Sequence, residues 1–126
     1  RGENGQWATR EVWKNRALSA RFCNPVLHDG HIFGLTDGCL ICVDVSNGRR
    51  LFREGSFGNG QMVLAGDKLV LTAESGEIAL VAADPTGFDE LARMELFSHR
   101  TWNVPTLAGK QFFVRNHHEM AVLELP

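Results

Sequence analysis

A nine-residue pattern occurs three times in this chain, and it constrains the fold more than any other feature. Pro25-Val26-Leu27-His28-Asp29-Gly30-His31-Ile32-Phe33, Met62-Val63-Leu64-Ala65-Gly66-Asp67-Lys68-Leu69-Val70 and Pro105-Thr106-Leu107-Ala108-Gly109-Lys110-Gln111-Phe112-Phe113 share one order: a short arm, a glycine turn and an apolar arm. The copies begin at residues 25, 62 and 105, so they lie 37 and 43 residues apart. A further arm recurs after each of them, as Gly38–Val43, Gly76–Val81 and His118–Leu123.

The turns explain why these arms read as strands. His28-Asp29-Gly30, Thr36-Asp37-Gly38 and Ser46-Asn47-Gly48 supply residues that tolerate positive φ, which tight hairpins require. The chain holds 13 glycines among 126 residues, and they punctuate apolar runs instead of clustering in a linker. Strands of four to six residues joined in this way read as an antiparallel meander. A period of about 40 residues with roughly four strands per unit is the mark of β-propeller blades. A plain β-sandwich is the competing reading. The units are expected at 22–55, 56–98 and 99–126, within a repeat region covering 11–126. Residues 1–10 are expected to be frayed. Residues 7–20 can supply one stray outer strand, beginning at Glu11-Val12-Trp13-Lys14. Phe88–Met94 is too short for an independent helix and reads as a turn running into an outer strand.

The segment Cys42-Val43-Asp44-Val45-Ser46-Asn47-Gly48-Arg49-Arg50-Leu51-Phe52 resembles the repeat motif of quinoprotein-like propellers, Ala-x-Asp-x-x-Thr-Gly-Lys-x-x-Trp. Asp44 and Gly48 match it identically, Arg49 stands for the Lys and Phe52 for the docking Trp. The second unit departs from the motif with Ala82 in the place of Asp44, and the third has Glu124 there. Trp13-Lys14-Asn15, Asn24–Gly30, Pro85–Arg93 and Thr101–Pro105 look like the C-terminal blades of bacterial pyrroloquinoline-quinone-binding-like repeat proteins. The resemblance covers roughly residues 11–126 and is specific for fold. It implies an all-β propeller of about three four-stranded blades, of bacterial and exported (periplasmic or extracellular) origin.

Three blades are too few to close a ring, which takes 4–8. They leave exposed faces and edges that invite association. The chain therefore reads either as the C-terminal part of a larger propeller or as a unit whose copies assemble; two such units would give six blades. The expected partners are other propeller blades, from elsewhere in the chain or from a second copy, with a protein partner as a further option. The charge balance, 13 Lys+Arg against 15 Asp+Glu, argues against binding nucleic acid through a basic face. No apolar run reaches the eighteen residues of a membrane span.

The candidate chemistry is sparse. Cys39-Leu40-Ile41-Cys42 is formally C-x-x-C, but on a strand its two thiols point to opposite faces. Quinoprotein dehydrogenases, as a family, hold their quinone beside a vicinal disulfide and use calcium. Cys23, Cys39 and Cys42 include no adjacent pair, and no acidic calcium cluster is recognisable. No cofactor is expected, therefore, with pyrroloquinoline quinone and calcium only under the dehydrogenase alternative, and no catalytic or metal residue is assigned. His117-His118-Glu119, in an expected turn, reads as a polar turn before it reads as a metal site. The segments leading into innermost strands line the axial channel in propellers, where ligands commonly bind. Asn24, Asn59, Arg100, Trp102 and Asn103 are the channel-lining candidates, and Asp44, Gly48 and Phe52 the structural ones. The function expected is a non-catalytic binding or scaffolding propeller. The alternatives are a piece of a quinone-dependent alcohol or sugar dehydrogenase, or a short propeller that self-assembles into a closed ring.

Overall fold

In a computed structural model, which describes residues 5–125, the chain is all-β, with three antiparallel sheets and no helix among those residues. The first sheet contains β1 (Val26–His28), β2 (His31–Thr36), β3 (Cys39–Asp44) and β4 (Arg50–Glu54). The second contains β5 (Gln61–Ala65), β6 (Lys68–Thr72), β7 (Glu77–Ala82) and β8 (Glu90–Glu95). The third contains β9 (Thr106–Ala108), β10 (Gln111–Arg115) and β11 (Met120–Glu124). Each strand pairs with its sequence neighbour, so every sheet is a simple meander. The third sheet thus has three strands among the described residues, one fewer than the four expected for each unit.

Turn chemistry accounts for this order. Asp29 and Gly30 sit at φ 41° and 75°, and Asp37 and Gly38 at 48° and 81°. Two consecutive positive φ values twist a two-residue loop to match the strands it joins. The β3–β4 turn is held by Asp44: its Oδ1 accepts from Ser46 N at 2.8 Å and Ser46 Oγ at 2.6 Å, and its Oδ2 from Asn47 Nδ2 at 3.2 Å. Gly48, at φ 72°, closes the turn by donating to the Asp44 carbonyl at 2.8 Å. The second unit has Ala82 in the register position of Asp44, yet the turn survives. Asp84 does the same work two residues later, accepting from Thr86 N at 2.8 Å and Thr86 Oγ1 at 2.7 Å.

Period-two alternation then assigns each face a neighbour. Phe33, Leu35, Leu40 and Cys42 of the first sheet pack with Leu69, Leu71, Ala79 and Val81 of the second. Phe52 joins them, its ring 6.4 Å from that of Phe33. The other face of the second sheet, through Val70 and Ile78, packs on Phe112 and Val114 of the third. The middle sheet is therefore apolar on both faces, and Leu69, Val70 and Leu71 are wholly buried. The first strands lie together, β1 beside β5 and β5 beside β9.

Residues 11–14 form no strand, contrary to the expected outer strand at Glu11–Lys14. Among the described residues no strand lies beside them to take up their backbone groups. The segment instead runs over the outer face of the first sheet. Trp13 Nε1 donates to Val45 O at 2.7 Å and Asn15 Nδ2 to Gly48 O at 2.8 Å. Leu18 lies over Gly34, so close that a Cβ there would come within 2.8 Å of it. The frayed 1–10 segment expected from sequence falls partly on residues 1–4, outside the described residues; residues 5–10 are exposed and without regular structure.

Gly76 is a sharp test of this packing. It sits at φ 99°, and a Cβ there would come within 2.2 Å of the Phe97 carbonyl oxygen. Gly66, at φ 63°, has open space around it. Gly66→Ala is expected to cost about 1–3 kcal/mol from backbone strain alone. Gly76→Ala should cost clearly more, measured as the shift in urea-denaturation midpoint. Equal shifts would mean that the turn moves freely away from Phe97.

Candidate functional site

The segments that lead into β1, β5 and β9 gather at the end of the sheets that carries the β2–β3, β6–β7 and β10–β11 turns. Backbone bonds stitch them to the preceding unit and, at Phe57, to the turn of their own unit. Phe57 N donates to Gly38 O at 2.7 Å, Glu74 N to Phe57 O at 2.9 Å, and Thr101 N to Glu74 O at 3.0 Å. Phe57 and Thr101 are buried by these contacts. Each connection thus plugs into the turn of the unit before it, which fixes the polar side chains beside it.

Gln61, at the start of β5, ties the first and third connections together. Its Nε2 donates to Phe22 O at 2.8 Å and Trp102 O at 3.3 Å. The side chain is almost wholly buried, and its Oε1 has no hydrogen-bond partner among the described residues. Glu74, in the β6–β7 turn, is the charged hub. Its Oε2 accepts from Asn59 N at 2.9 Å and Asn59 Nδ2 at 3.2 Å, and Arg100 Nε stands 3.5 Å from Oε1. The Arg100 guanidinium also lies 4.6 Å from the Trp102 ring centroid, a cation–π contact. These contacts hold the Glu74 carboxyl below the usual carboxylate range, chiefly through the Asn59 backbone N–H and against partial desolvation.

Of the five channel-lining candidates, Asn59, Arg100 and Trp102 are therefore brought together around Glu74. Asn103 lies beside them; with its amide turned so that the oxygen faces Arg115, that oxygen accepts from Nη2 at 3.1 Å and Nη1 at 3.3 Å. Arg100, Trp102, Asn103 and His117 line an open cleft of about 380 Å³. Asn24 is exposed and joins none of these contacts; only its backbone carbonyl is engaged, by Cys23 Sγ at 3.5 Å. Asn59 lines a narrower cleft with Arg21, Phe22 and Gly58. The sequence reading missed Gln61 and Glu74. Gln61 occupies the same repeat position as Asn24, directly before the Pro25 and Met62 that open the nine-residue pattern, and that equivalence was a usable signal. Glu74 gave none, because its role depends on which connection plugs into its turn.

Three imidazoles stand at the rim. The His118 ring lies 4.6 Å from that of His99 and 3.9 Å from that of His117. Among the described residues no three His, Cys, Asp or Glu side chains are placed to hold a metal ion. Cys39 and Cys42 are free thiols, and burial, aided by the charges of Asp44 and Asp84, pushes Cys42 up to about 11. A thiol that weakly acidic stays protonated at neutral pH, which suits packing rather than nucleophilic chemistry.

No family model and no curated protein matches the chain. Among solved structures it is similar to the crystal structure of the computationally designed Ika4 protein, at 9% identity and a TM-score of 0.53, over 94% of this chain and 100% of that one. A second, the computationally designed Ika8 protein, is 9% identical at a TM-score of 0.44, over 82% of this chain and 45% of that one. The first likeness is one of fold, an all-β repeat-like arrangement of sheets.

Two substitutions probe the hub. Gln61→Leu removes the donor shared by the Phe22 and Trp102 carbonyls and is expected to cost about 1–3 kcal/mol in denaturant unfolding. Glu74→Gln removes the charge. A carboxyl depressed in the folded state stabilises it above the unfolded pKa of about 4.3, and that contribution is lost as pH falls through the lower folded value. The wild-type midpoint should therefore fall more steeply below about pH 4.3 than that of Glu74→Gln. Parallel pH profiles would remove Glu74 from the stability balance.

Proposed function

We propose that this chain is a non-catalytic binding or scaffolding module, built as part of a β-propeller of the quinoprotein-like kind. The observation that carries the reading is radial: β1, β5 and β9 lie together while the later strands of each sheet lead away from them. In such an arrangement the connections before the first strands surround the axis. That is where Asn59, Arg100, Trp102 and Asn103 are gathered. The exposed Trp102 face, the Arg100 guanidinium and the Asn103 amide make a polar–aromatic surface suited to recognition. The resemblance to pyrroloquinoline-quinone-binding-like repeat proteins adds a bacterial, exported setting to the proposal.

A second reading, self-assembly, is favoured by one specific observation. The outward face of the third sheet leaves Met120 61% and Val122 51% exposed, although its register equivalents in the other two sheets are covered. The module is then completed by further sheets.

The dehydrogenase alternative is separated by adding pyrroloquinoline quinone and calcium. The expected result is no bound chromophore and no dye reduction. A quinone absorption band that co-elutes with the protein, or turnover of an alcohol or aldose, would replace the binding-module reading with an enzymatic one.

A further inference from the structure

Among the described residues the third sheet has no fourth strand and the 10–15 segment no sheet. We infer that these two features complete each other between copies: residues 10–15 of one chain add as the fourth strand along the free edge of β11 in a second chain. The inference rests on the self-assembly reading above and specifies its contact.

Register supports it. In the first sheet Cys42 pairs Phe52 and Ile41 pairs Arg53; a bulge then skips Leu51, so that Val43 pairs Arg50. In the second sheet Leu80 pairs Ala92 and Ala79 pairs Arg93; the same bulge skips Leu91, so that Val81 pairs Glu90. Cross-strand pairing makes Val122 the counterpart of Cys42 and Leu80, since they face Phe113, Phe33 and Val70 respectively. The fourth strands read Arg49-Arg50-Leu51-Phe52-Arg53-Glu54 and Asp89-Glu90-Leu91-Ala92-Arg93-Met94. Arg10-Glu11-Val12-Trp13-Lys14-Asn15 follows the same scheme: a branched apolar residue to bulge, an apolar residue next and a base after it. Placed alike, Trp13 lies opposite Val122 and Lys14 opposite Ala121. Beyond the bulge Arg10 meets Glu124, and towards the other end Arg16 meets Glu119. Both pairs are of opposite charge, which favours this register.

The connection is also right in space. Phe52 of the first sheet packs in the cluster that holds Ala83 and Phe88 of the second, on either side of the β7–β8 turn. Trp13 sits in the same way on Val45 and Gly48, in the β3–β4 turn. The segment therefore already stands, relative to the first sheet, where the outer strand of a preceding sheet stands. The place such a strand would fill is open at the other end of the molecule. A groove of about 580 Å³ runs beside β11, lined by Ile78, Leu80, Ala92, Met94, Leu123 and Leu125 among others. Val12 is 72% exposed, and the bulge sets it on the same face as Trp13, as Leu51 and Phe52 pack on one cluster in the first sheet. Glu11 and Lys14 then close the open side of this groove, and Val12 and Trp13 cover the Phe113, Met120 and Val122 surface. The unpaired edge of β11 supplies the backbone donors and acceptors.

Two copies exchanging segments form a dimer of twice the 14.0 kDa chain mass, to be read by light scattering across a concentration series. In this register the Asn15 N–H faces Met120 on the free edge, because Leu125 N, five residues on and of the other parity, donates to Lys110 O on the β10 side. Asn15→Pro removes that donor from a segment that has no regular structure of its own, so circular dichroism should stay unchanged while the dimer dissociates at least tenfold more readily than that of Asn15→Ala, which loses the same side-chain bond to Gly48. Lys14→Cys mixed with Ala121→Cys, both carrying Cys39→Ser, should give an intermolecular disulfide faster than Lys14→Cys mixed with Lys110→Cys. A chain that stays monomeric at every concentration overturns both this contact and the self-assembly reading. Association of Asn15→Pro as tight as that of Asn15→Ala, with equal cross-linking in the two mixtures, overturns the strand exchange alone and leaves self-assembly through another surface. Should Asn15→Pro unfold the chain, the cross-linking comparison decides by itself.

Discussion

Everything in this molecule depends on a sheet that is apolar on both faces. Leu69 and Leu71 point one way along β6 and Val70 the other, so the second sheet must be covered twice. A lone antiparallel sheet usually buries one face and wets the other. Here the middle unit makes the first and third sheets necessary, and neither has a second packing surface as extensive within the described chain. Burying side chains as large as Leu and Val contributes about 1.5–3 kcal/mol each, so the two interfaces supply most of the drive to fold. Turns and ion pairs at the surface shape the sheets but do not replace this term.

The connections between sheets turn that packing into a site. Phe57 and Thr101 each bury a backbone N–H against a carbonyl in the preceding unit's turn. Because each plug is anchored, the side chains next to it are presented at one end in a fixed order. Glu74 then gathers Asn59 and Arg100, and Arg100 stacks on Trp102. The surface is polar and aromatic, backed by Gln61. Its neighbours in the open cleft, Asn103 and His117, come from the unit that has only one sheet packed against it.

Much of the fold was legible in the residues. The Asp-Gly and Asn-Gly turns located the hairpins, and the three-fold pattern located the units, because both are local and repeat. Phe88–Met94 resolved into a turn and β8, as its length required. Glu11–Lys14 was misread in one respect. Its sequence carries the pattern of an outer strand, but a strand exists only with a partner, and none of the described strands lies beside it. The site was less legible. Asn59, Arg100 and Trp102 converge, whereas Asn24 does not, because Gln61 and not Asn24 reaches across the centre. Glu74 was invisible, since nothing local marks a carboxylate whose partners lie 15 and 26 positions away.

By itself, then, the sequence determined the strands, their turns and their repetition, because these follow from φ preferences and period-two alternation within a few residues. Asp84 standing in for Asp44 shows how tolerant that code is: the turn needs a carboxylate within reach of the next backbone N–H, not at one fixed position. The tertiary structure decided which face meets which sheet, which connection plugs into which turn, and which edge stays open. Those outcomes depend on contacts between residues far apart in sequence, where volume, burial and the number of strands in a sheet set the result.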